Sequence, residues 1–291
     1  MPNSTIPFKH SLLSGDLINF MAGIKQVCER EKRTAEIFLG LNIEWRMADE
    51  VAAGRESKVT LTEKTMAMLK PLLLSQPYIS KVDSLEACFP EEYRSWCEAF
   101  KEFSDFDHAA RWYMEHPSRL VDLDKHHVMP VGLPYGSIFR WNFYIYPDMT
   151  CDLSKPWISV EPNDTIPEGT IVINRTERSR NESIKYSFLK EYQDRLLFVG
   201  LEREHKAFCE EWDLQIPLFE AKDFLELATV IRSASFFIGN QSLCFSLAEA
   251  MKVPRILEIA RHLPNVIPTG EKAYDVYFTS AMIWATKELA K

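Results

Sequence analysis

The segment Phe236-Phe-Ile-Gly-Asn-Gln-Ser-Leu-Cys-Phe-Ser-Leu-Ala-Glu-Ala-Met-Lys-Val-Pro-Arg-Ile-Leu-Glu-Ile259 constrains the fold more than any other part of the chain. An apolar run, Phe236 to Ile238, meets a turn signal at Gly239-Asn240. A helical pattern follows from Ser242 to Lys252, and Val253-Pro254 then opens a second apolar run, Arg255 to Ile259. That order predicts a β-α-β unit. Ser242 is placed to cap the helix, and Leu243, Leu247, Ala250 and Met251 fall on one face at helical spacing. The helix therefore packs on a sheet. Its N-terminus, at Gln241 to Leu243, lies beyond the carboxyl end of the strand, where α/β proteins hold phosphates and ribose.

The same alternation extends upstream. Thr170 to Asn174 reads as a strand, Phe188 to Asp194 as a helix, Leu196 to Gly200 as a strand, Glu202 to Trp212 as an amphipathic helix, and Ile216 to Leu218 as a short strand. Asp223 caps a helix running to Ser233. This pattern predicts a parallel sheet covered on both faces, a Rossmann-type domain. In the first half, Ile6 to Leu13, Ile37 to Trp45 and Tyr78 to Val82 read as strands, with helices over Asp16 to Cys28 and Thr62 to Leu74. Residues 85–130 read as helical with a break at His116-Pro117, and Ser137 to Tyr146 as another strand. The Pro-rich stretch Tyr146 to Gly169 is the clearest seam. The expected domains are therefore 1–155 and 156–272, followed by a helical segment over 273–291 carrying Val276, Tyr277, Ala281, Met282 and Trp284.

A formal net charge of −8 removes the general basic footprint of a non-specific DNA or anionic-membrane binder. The six cysteines (Cys28, Cys88, Cys97, Cys151, Cys209, Cys244) form no Cys-x-x-Cys pair, which suits reduced thiols in a cytosol and neither a disulfide framework nor a zinc site. No stretch approaches the length of a membrane span and Met1 to Phe20 has no signal-peptide pattern, so a cytoplasmic protein without stable membrane insertion is expected. His108, His116, His126 and His127 match no metal-ligand spacing, and no metal is expected. Gly-x-x-x-x-Gly-Lys-(Ser/Thr), Gly-x-Gly-x-x-Gly and Gly-x-Ser-x-Gly are all absent, which leaves ATPase, dinucleotide and serine-hydrolase readings without a motif.

Two further constellations carry chemistry. Ser14-Gly15-Asp16 joins the first strand to a helix. Asp16 there either caps the helix or offers a carboxylate that accepts a proton. Asn174-Arg-Thr-Glu-Arg-Ser-Arg-Asn181, followed by Lys185, is a cationic loop directly after a strand end. It is either a solvated loop or a grip on a diphosphate by Arg175, Arg178 and Arg180. Glu204 and His205 open the helix after Gly200, and Glu249 sits further along the helix that starts at Ser242. Each of these has an ordinary surface or packing role as its alternative.

The wording of these segments resembles that of the heptosyltransferase-like glycosyltransferases. Ile-Gly-Asn-Gln-Ser-x-x-x-x-Leu-Ala-Glu-Ala-x-x-Val-Pro is similar to their Gly-x-Asp-(Ser/Thr)-Gly-x-x-His-Leu-Ala-x-Ala-x-x-x-Pro segment, and Ser14-Gly15-Asp16 to their first βα turn. The resemblance spans about residues 8–25 and 170–260. It implies a GT-B-like α/β fold, with two Rossmann-like domains whose parallel sheets face a cleft. A nucleotide-sugar donor would then sit on the C-terminal domain, and an acceptor near Ser14 and Gly15 on the first. It also implies Asp16 as general base of a metal-independent, inverting sugar transfer with no cofactor. Donor contacts would come from Arg175, Thr176, Arg178, Arg180, Lys185, His205, Asn240, Gln241, Ser242 and Glu249. The tail would cross back to the first domain. The acceptor is by family default a surface glycan or lipid core, with a hydroxylated DNA base as another reading. The chain departs from the pattern in three places: a proline is missing around Phe20 to Ala22, Gln241 stands where Asp is usual although Ser242 keeps the usual Thr or Ser, and Ser246 replaces a histidine. The alternatives are a GT-B-fold sugar-nucleotide epimerase and a non-catalytic nucleotide-sugar-binding or scaffold protein. Asp105 and Asp107 are the next carboxylates in line after Asp16.

Overall fold

The computed structural model describes residues 5–44, 61–103, 106–116, 118–127, 137–140, 152–261 and 264–291. The chain divides into two compact units, Met1–Leu133 with Phe139–Cys151, and Pro134–Ile138 with Asp152–Lys291.

The N-terminal unit holds a parallel sheet of β1 (Thr5–His10), β2 (Thr34–Leu39), β3 (Ile79–Ser84) and β4 (Val121–Asp122) in the order β3-β2-β1-β4. Phe8 pairs with Ile37 on one side and with Val121 on the other, so β1 is central and buried. The first helix, Ser14–Glu31, buries Leu17, Ile18, Phe20, Met21, Ile24 and Val27. It stops at Lys32, whose φ of 53° places it in the left-handed region. Thr62 caps the helix Glu63–Leu74 by accepting from Thr65 N at 3.2 Å.

Several expected boundaries shift. β1 ends at His10 instead of running to Leu13, because Leu13 supplies the carbonyl that starts the helix, accepting from Asp16 N and Leu17 N at 3.1 Å each. β2 begins three residues before Ile37, and residue 45 at its expected end lies outside the described residues. The region read as helical over 85–130 contains helices Leu85–Cys88, Pro90–Glu102 and Phe106–Glu115, and then turns into β4 and a 3-10 turn, Leu123–His127. β4 is too short to show a period of two, and it exists because it completes the ladder of β1. In the expected strand Ser137 to Tyr146, Ile138–Arg140 form a 3-10 turn, and residues 141–146 lie outside the described residues.

The C-terminal unit is a six-stranded parallel sheet in the order β10-β9-β8-β5-β6-β7. Its strands are β5 (Ile171–Asn174), β6 (Leu196–Val199), β7 (Leu218–Phe219), β8 (Phe236–Asn240), β9 (Arg255–Glu258) and β10 (Ala273–Val276). The chain lays down β5, β6 and β7 outward, then returns to place β8 on the other side of β5. This is the Rossmann order with its switch point between β5 and β8. Ile171, Ile173, Phe236 and Ile238 face one core with Tyr186, Phe208, Trp212, Met282 and Ala285.

Here too the structure amends the pattern. Ser187–Arg195 is 3-10, not α-helical. β8 continues through Gly239 and Asn240, where a turn is expected, and the helix spans Leu243–Ala250 with Ser242 as its cap, accepting from Phe245 N at 3.2 Å. Residues 273–276 are a strand pairing with β9, and the terminal helix is only Thr279–Leu289, with Met282 and Ala285 in this unit's core. Their apolar residues fit either reading locally. Pairing with β9 is what selects strand.

Candidate functional site

In a parallel sheet, loops and helix N-termini gather beyond the carboxyl ends of the strands, most accessibly at a switch point. In the C-terminal unit that place is Asn174-Arg175-Thr176 after β5 and Asn240-Gln241-Ser242 after β8. Asn240 ties the two together: its Oδ1 accepts from Thr176 N at 2.9 Å and Thr176 Oγ1 at 3.2 Å, and its Nδ2 donates to Thr176 O at 2.7 Å. Gly239 makes this approach possible, since a Cβ there would stand 2.5 Å from the Asn174 backbone oxygen. Gln241 donates to Asn265 at 2.9 Å, and Ser242 starts the helix whose dipole points at the same turn.

The β6 turn adjoins it. Gly200, at φ +132°, leaves room for Asn174 Nδ2, which donates to Val199 O at 2.8 Å. The other amide atom, Asn174 Oδ1, is buried without a partner among the described residues. Glu204 is buried and accepts from Leu201 N at 3.4 Å; burial raises its carboxyl above the usual range. Asn174 and Glu204 are thus a buried amide and a buried carboxylate beside one turn. Glu204 is one of the two residues singled out at the start of the helix after Gly200, and the fold buries it beside this turn.

The three arginines of the loop separate. Arg175 is turned into the core, with Nε and Nη2 on the two oxygens of Glu258 at 2.9 and 3.2 Å, Nη1 at 3.3 Å from Glu211, and its plane near Tyr186 and Trp212. Glu258 also accepts from Tyr186 Oη at 2.6 Å and from Asn181 N. Arg175 thus commits an N–H of each of its three guanidinium nitrogens to Glu258 and Glu211 within this unit. Arg180 reaches the same Glu211 with Nη1 at 3.5 Å, while its Nε and Nη2 are buried without partners among the described residues. Arg178 is half-buried in the same loop, and Lys185 is exposed with its Nζ 5.6 Å from the Trp212 ring centre.

Two other expected donor residues lie elsewhere. His205 Nε2 donates to Ile216 O at 2.8 Å and its ring packs on Phe198, so it ties its helix to the approach of β7. Glu249 is at the far end of the helix from Ser242, in a buried cluster with Arg255, Lys252 and Thr269, whose Oγ1 donates to it at 2.8 Å. A helix packed antiparallel to its strands carries a residue two turns on toward the amino ends of the strands, where β9 begins at Arg255, away from the turn.

In the N-terminal unit the switch point lies between β1 and β4. Lys9 Nζ meets Asp122 Oδ2 at 2.8 Å, and Ser11 N donates to Asp124 Oδ1 at 3.0 Å. His10 places Nδ1 3.1 Å from Asp124 Oδ1 and Nε2 2.9 Å from Leu13 O. All four charged side chains are buried. Burial pushes Asp122 up to about 6 and Lys9 down, whereas Asp124, beside His10, is held at about 2. Directly above, Ser14, Gly15 and Asp16 open the helix. Asp16 is buried in its first turn but does not cap it, the cap position being Leu13. This cluster escaped the sequence reading because its acids come from the two-residue strand β4 and the turn after it. Asp105 lies outside the described residues, as does the side chain of Asp107. Nearby, a cavity of about 740 Å³ is lined by residues including Trp96, Trp112, His116, Glu92, Arg94 and Arg119. Among the described residues no group of three His, Cys, Asp or Glu is placed to hold a metal, and no helix is long and apolar enough to cross a membrane.

Three solved structures resemble this fold over nearly the whole chain. The fold is GT-B-like. A glycosyl transferase family 9 protein from Veillonella parvula superposes with a TM-score of 0.60 at 10% identity, covering 98% of this chain and 97% of its own. The E. coli ADP-heptose LPS heptosyltransferase II gives 0.61 at 11% identity, covering 98% of both chains. The E. coli heptosyltransferase WaaC with ADP-2-deoxy-2-fluoro heptose gives 0.56 at 10%, covering 98% of this chain and 99% of that one. At such identities the likeness is one of fold. No protein-family model and no curated protein matches the sequence.

Proposed function

We propose that the protein is a glycosyltransferase that moves a sugar from a nucleotide-sugar donor to an acceptor hydroxyl, with inversion and without a metal. The observation that carries this reading is the β5/β8 switch point. There, the Thr176–Asn240 lock brings the cationic loop and a helix N-terminus to one turn, as the binding of a diphosphate requires. Arg178, Arg180 and Lys185 supply the positive charge, with Nε and Nη2 of Arg180, without partners among the described residues, ready to donate. Arg175 holds the loop in place through Glu258. Asn174 and Glu204, with an acceptor and a carboxylate beside Gly200, suit the nucleoside hydroxyls. By analogy with the neighbours named for ADP-heptose, a nucleoside diphosphate heptose is the first donor to try.

In the reaction, Asp16 takes the proton of the acceptor hydroxyl as that oxygen bonds to the anomeric carbon. The bond from that carbon to the diphosphate oxygen breaks, and the leaving charge passes to the guanidinium groups. A surface glycan or lipid core is the acceptor class, and the aromatic cavity near Trp112 is its candidate contact in the N-terminal unit.

A titration with a panel of nucleotide sugars, followed by turnover of wild type and Asp16→Asn, tests the proposal. The expected result is binding of one donor, unchanged in the variant, with turnover lowered by about 10²- to 10⁴-fold. Full turnover in Asp16→Asn would remove Asp16 as the base, and failure to bind any nucleotide sugar would remove the donor reading.

A further inference from the structure

The buried His10–Asp124 pair has no part in the chemistry just described, yet it touches the element that carries the proposed base. The Leu13 carbonyl receives three donors: the backbone amides of Asp16 and Leu17 at 3.1 Å each, and His10 Nε2 at 2.9 Å. A carbonyl oxygen only accepts, so Nε2 carries a hydrogen. On the other side of the ring, Nδ1 faces the Asp124 carboxylate at 3.1 Å, an ion-pair distance. A carboxylate beside a ring nitrogen in a fully buried setting favours a hydrogen there as well. With both nitrogens protonated, the ring is an imidazolium.

We propose that His10 is a positioning residue for Asp16: as an imidazolium held by Asp124, it clamps the carbonyl that starts the first helix and so fixes where the Asp16 carboxylate stands. The inference rests on the reading of Asp16 as the base. Asp124 follows β4 and Leu13 follows β1, so the clamp joins the two strands of the switch point to the turn above them. The ionisable groups around the ring support the charge. Asp124 from the turn after β4 and Asp16 from the helix both raise the imidazole above its ordinary value, against burial, the largest influence, which lowers it. Lys9 is paired to Asp122 on the neighbouring strand ends, and the Tyr113 hydroxyl, from helix Phe106–Glu115, feels both aspartates. The Phe20 ring, 6.4 Å away, closes the apolar side. Gly40, whose amide donates to His10 O at 2.9 Å, keeps β2 close, because a Cβ there would run into Ser11.

The experiment has two arms on the full chain. Nitrogen NMR of the His10 ring, without any substrate, reads both nitrogens protonated at neutral pH if the clamp is an imidazolium; a neutral ring overturns the proposal. In the second arm, His10→Gln, which donates from one end only, lowers turnover by about 100-fold with donor affinity unchanged, as a misplacement of about 1 Å does. It also removes the alkaline limb that deprotonation of His10 gives the wild-type pH profile. Asp124→Asn serves the same purpose should His10→Gln fail to fold. Wild-type turnover in these variants, while Asp16→Asn is crippled, refutes the positioning role and leaves Asp16 as the base. If Asp16→Asn is itself fully active, the base reading falls and the positioning role with it, whereas the NMR arm still reports the ring's charge.

Discussion

The guanidinium of Arg175 meets both carboxylate oxygens of Glu258, across 83 residues of chain, with Nε to Oε2 at 2.9 Å and Nη2 to Oε1 at 3.2 Å. The contact joins the ends of β5 and β9, and it divides a cationic loop into a buried member and its neighbours. Arg175→Ala would leave Glu258 buried with, among the described residues, Tyr186 Oη and Asn181 N as its remaining donors, and is expected to cost about 3–5 kcal/mol of stability. Arg178→Ala and Arg180→Ala should leave the unfolding midpoint near wild type and weaken donor binding by about 1.5–3 kcal/mol. Denaturant unfolding and calorimetry read the two effects. A fully stable Arg175→Ala that loses only donor affinity would reverse this assignment.

Glu249 is expected to behave like Arg175. Glu249→Gln takes the charge from a cluster of Arg255, Lys252 and Thr269, and should destabilise by about 3 kcal/mol. Donor affinity of the folded variant should match wild type. Weaker donor binding at unchanged stability would return Glu249 to the donor site.

Gly239→Ala puts a methyl 2.5 Å from the backbone oxygen of Asn174 and 2.7 Å from the Phe237 ring. The backbone of β5 cannot yield as a side chain would, so β5 and β8 must part at the switch point. A loss of about 1–3 kcal/mol is expected. Donor affinity should fall with it, because the Thr176–Asn240 lock spans the same gap. A crystal structure of the variant with that lock intact would contradict the argument.

The His10–Asp124 pair predicts a pH window. His10 is raised in the folded state, so its contribution is fully present below about 6.5 and is lost as pH rises through its folded value. Asp124 is lowered to about 2, so its contribution is present above 3.8 and is lost as pH falls toward 2. Asp122, pushed up to about 6, acts with the opposite sign, stabilising below 3.8 and losing that effect as pH rises through 6. The difference in stability between wild type and Asp124→Asn should therefore be greatest between about pH 4 and 6.5 and shrink on either side. Unfolding curves at a series of pH values measure it, and a pH-independent difference would show the pair to be uncharged.

What was legible in the sequence is what is local. The periods of apolar residues gave the parallel α/β units, and Ser14-Gly15-Asp16 and Gln241-Ser242 fell where a strand gives way to a helix, because turn and cap chemistry is written within a few residues. Where a tertiary ladder extended or cut an element, as at β8, β4 and β10, the local pattern fell short.

By itself, then, the sequence determined where strands and helices alternate, and so that both halves make sheets with helix N-termini at their carboxyl ends. Only the tertiary structure decided which polar side chains remain for a ligand. Arg175 and Arg180 are near neighbours in one loop, yet strand order sets β9 and its Glu258 within reach of the first and leaves two donors of the second without partners among the described residues. Lys9 finds Asp122 across 113 residues because β4 pairs with β1. A buried charge must be matched where it lies, and its partner is set by which strands become neighbours, a relation that no local periodicity contains.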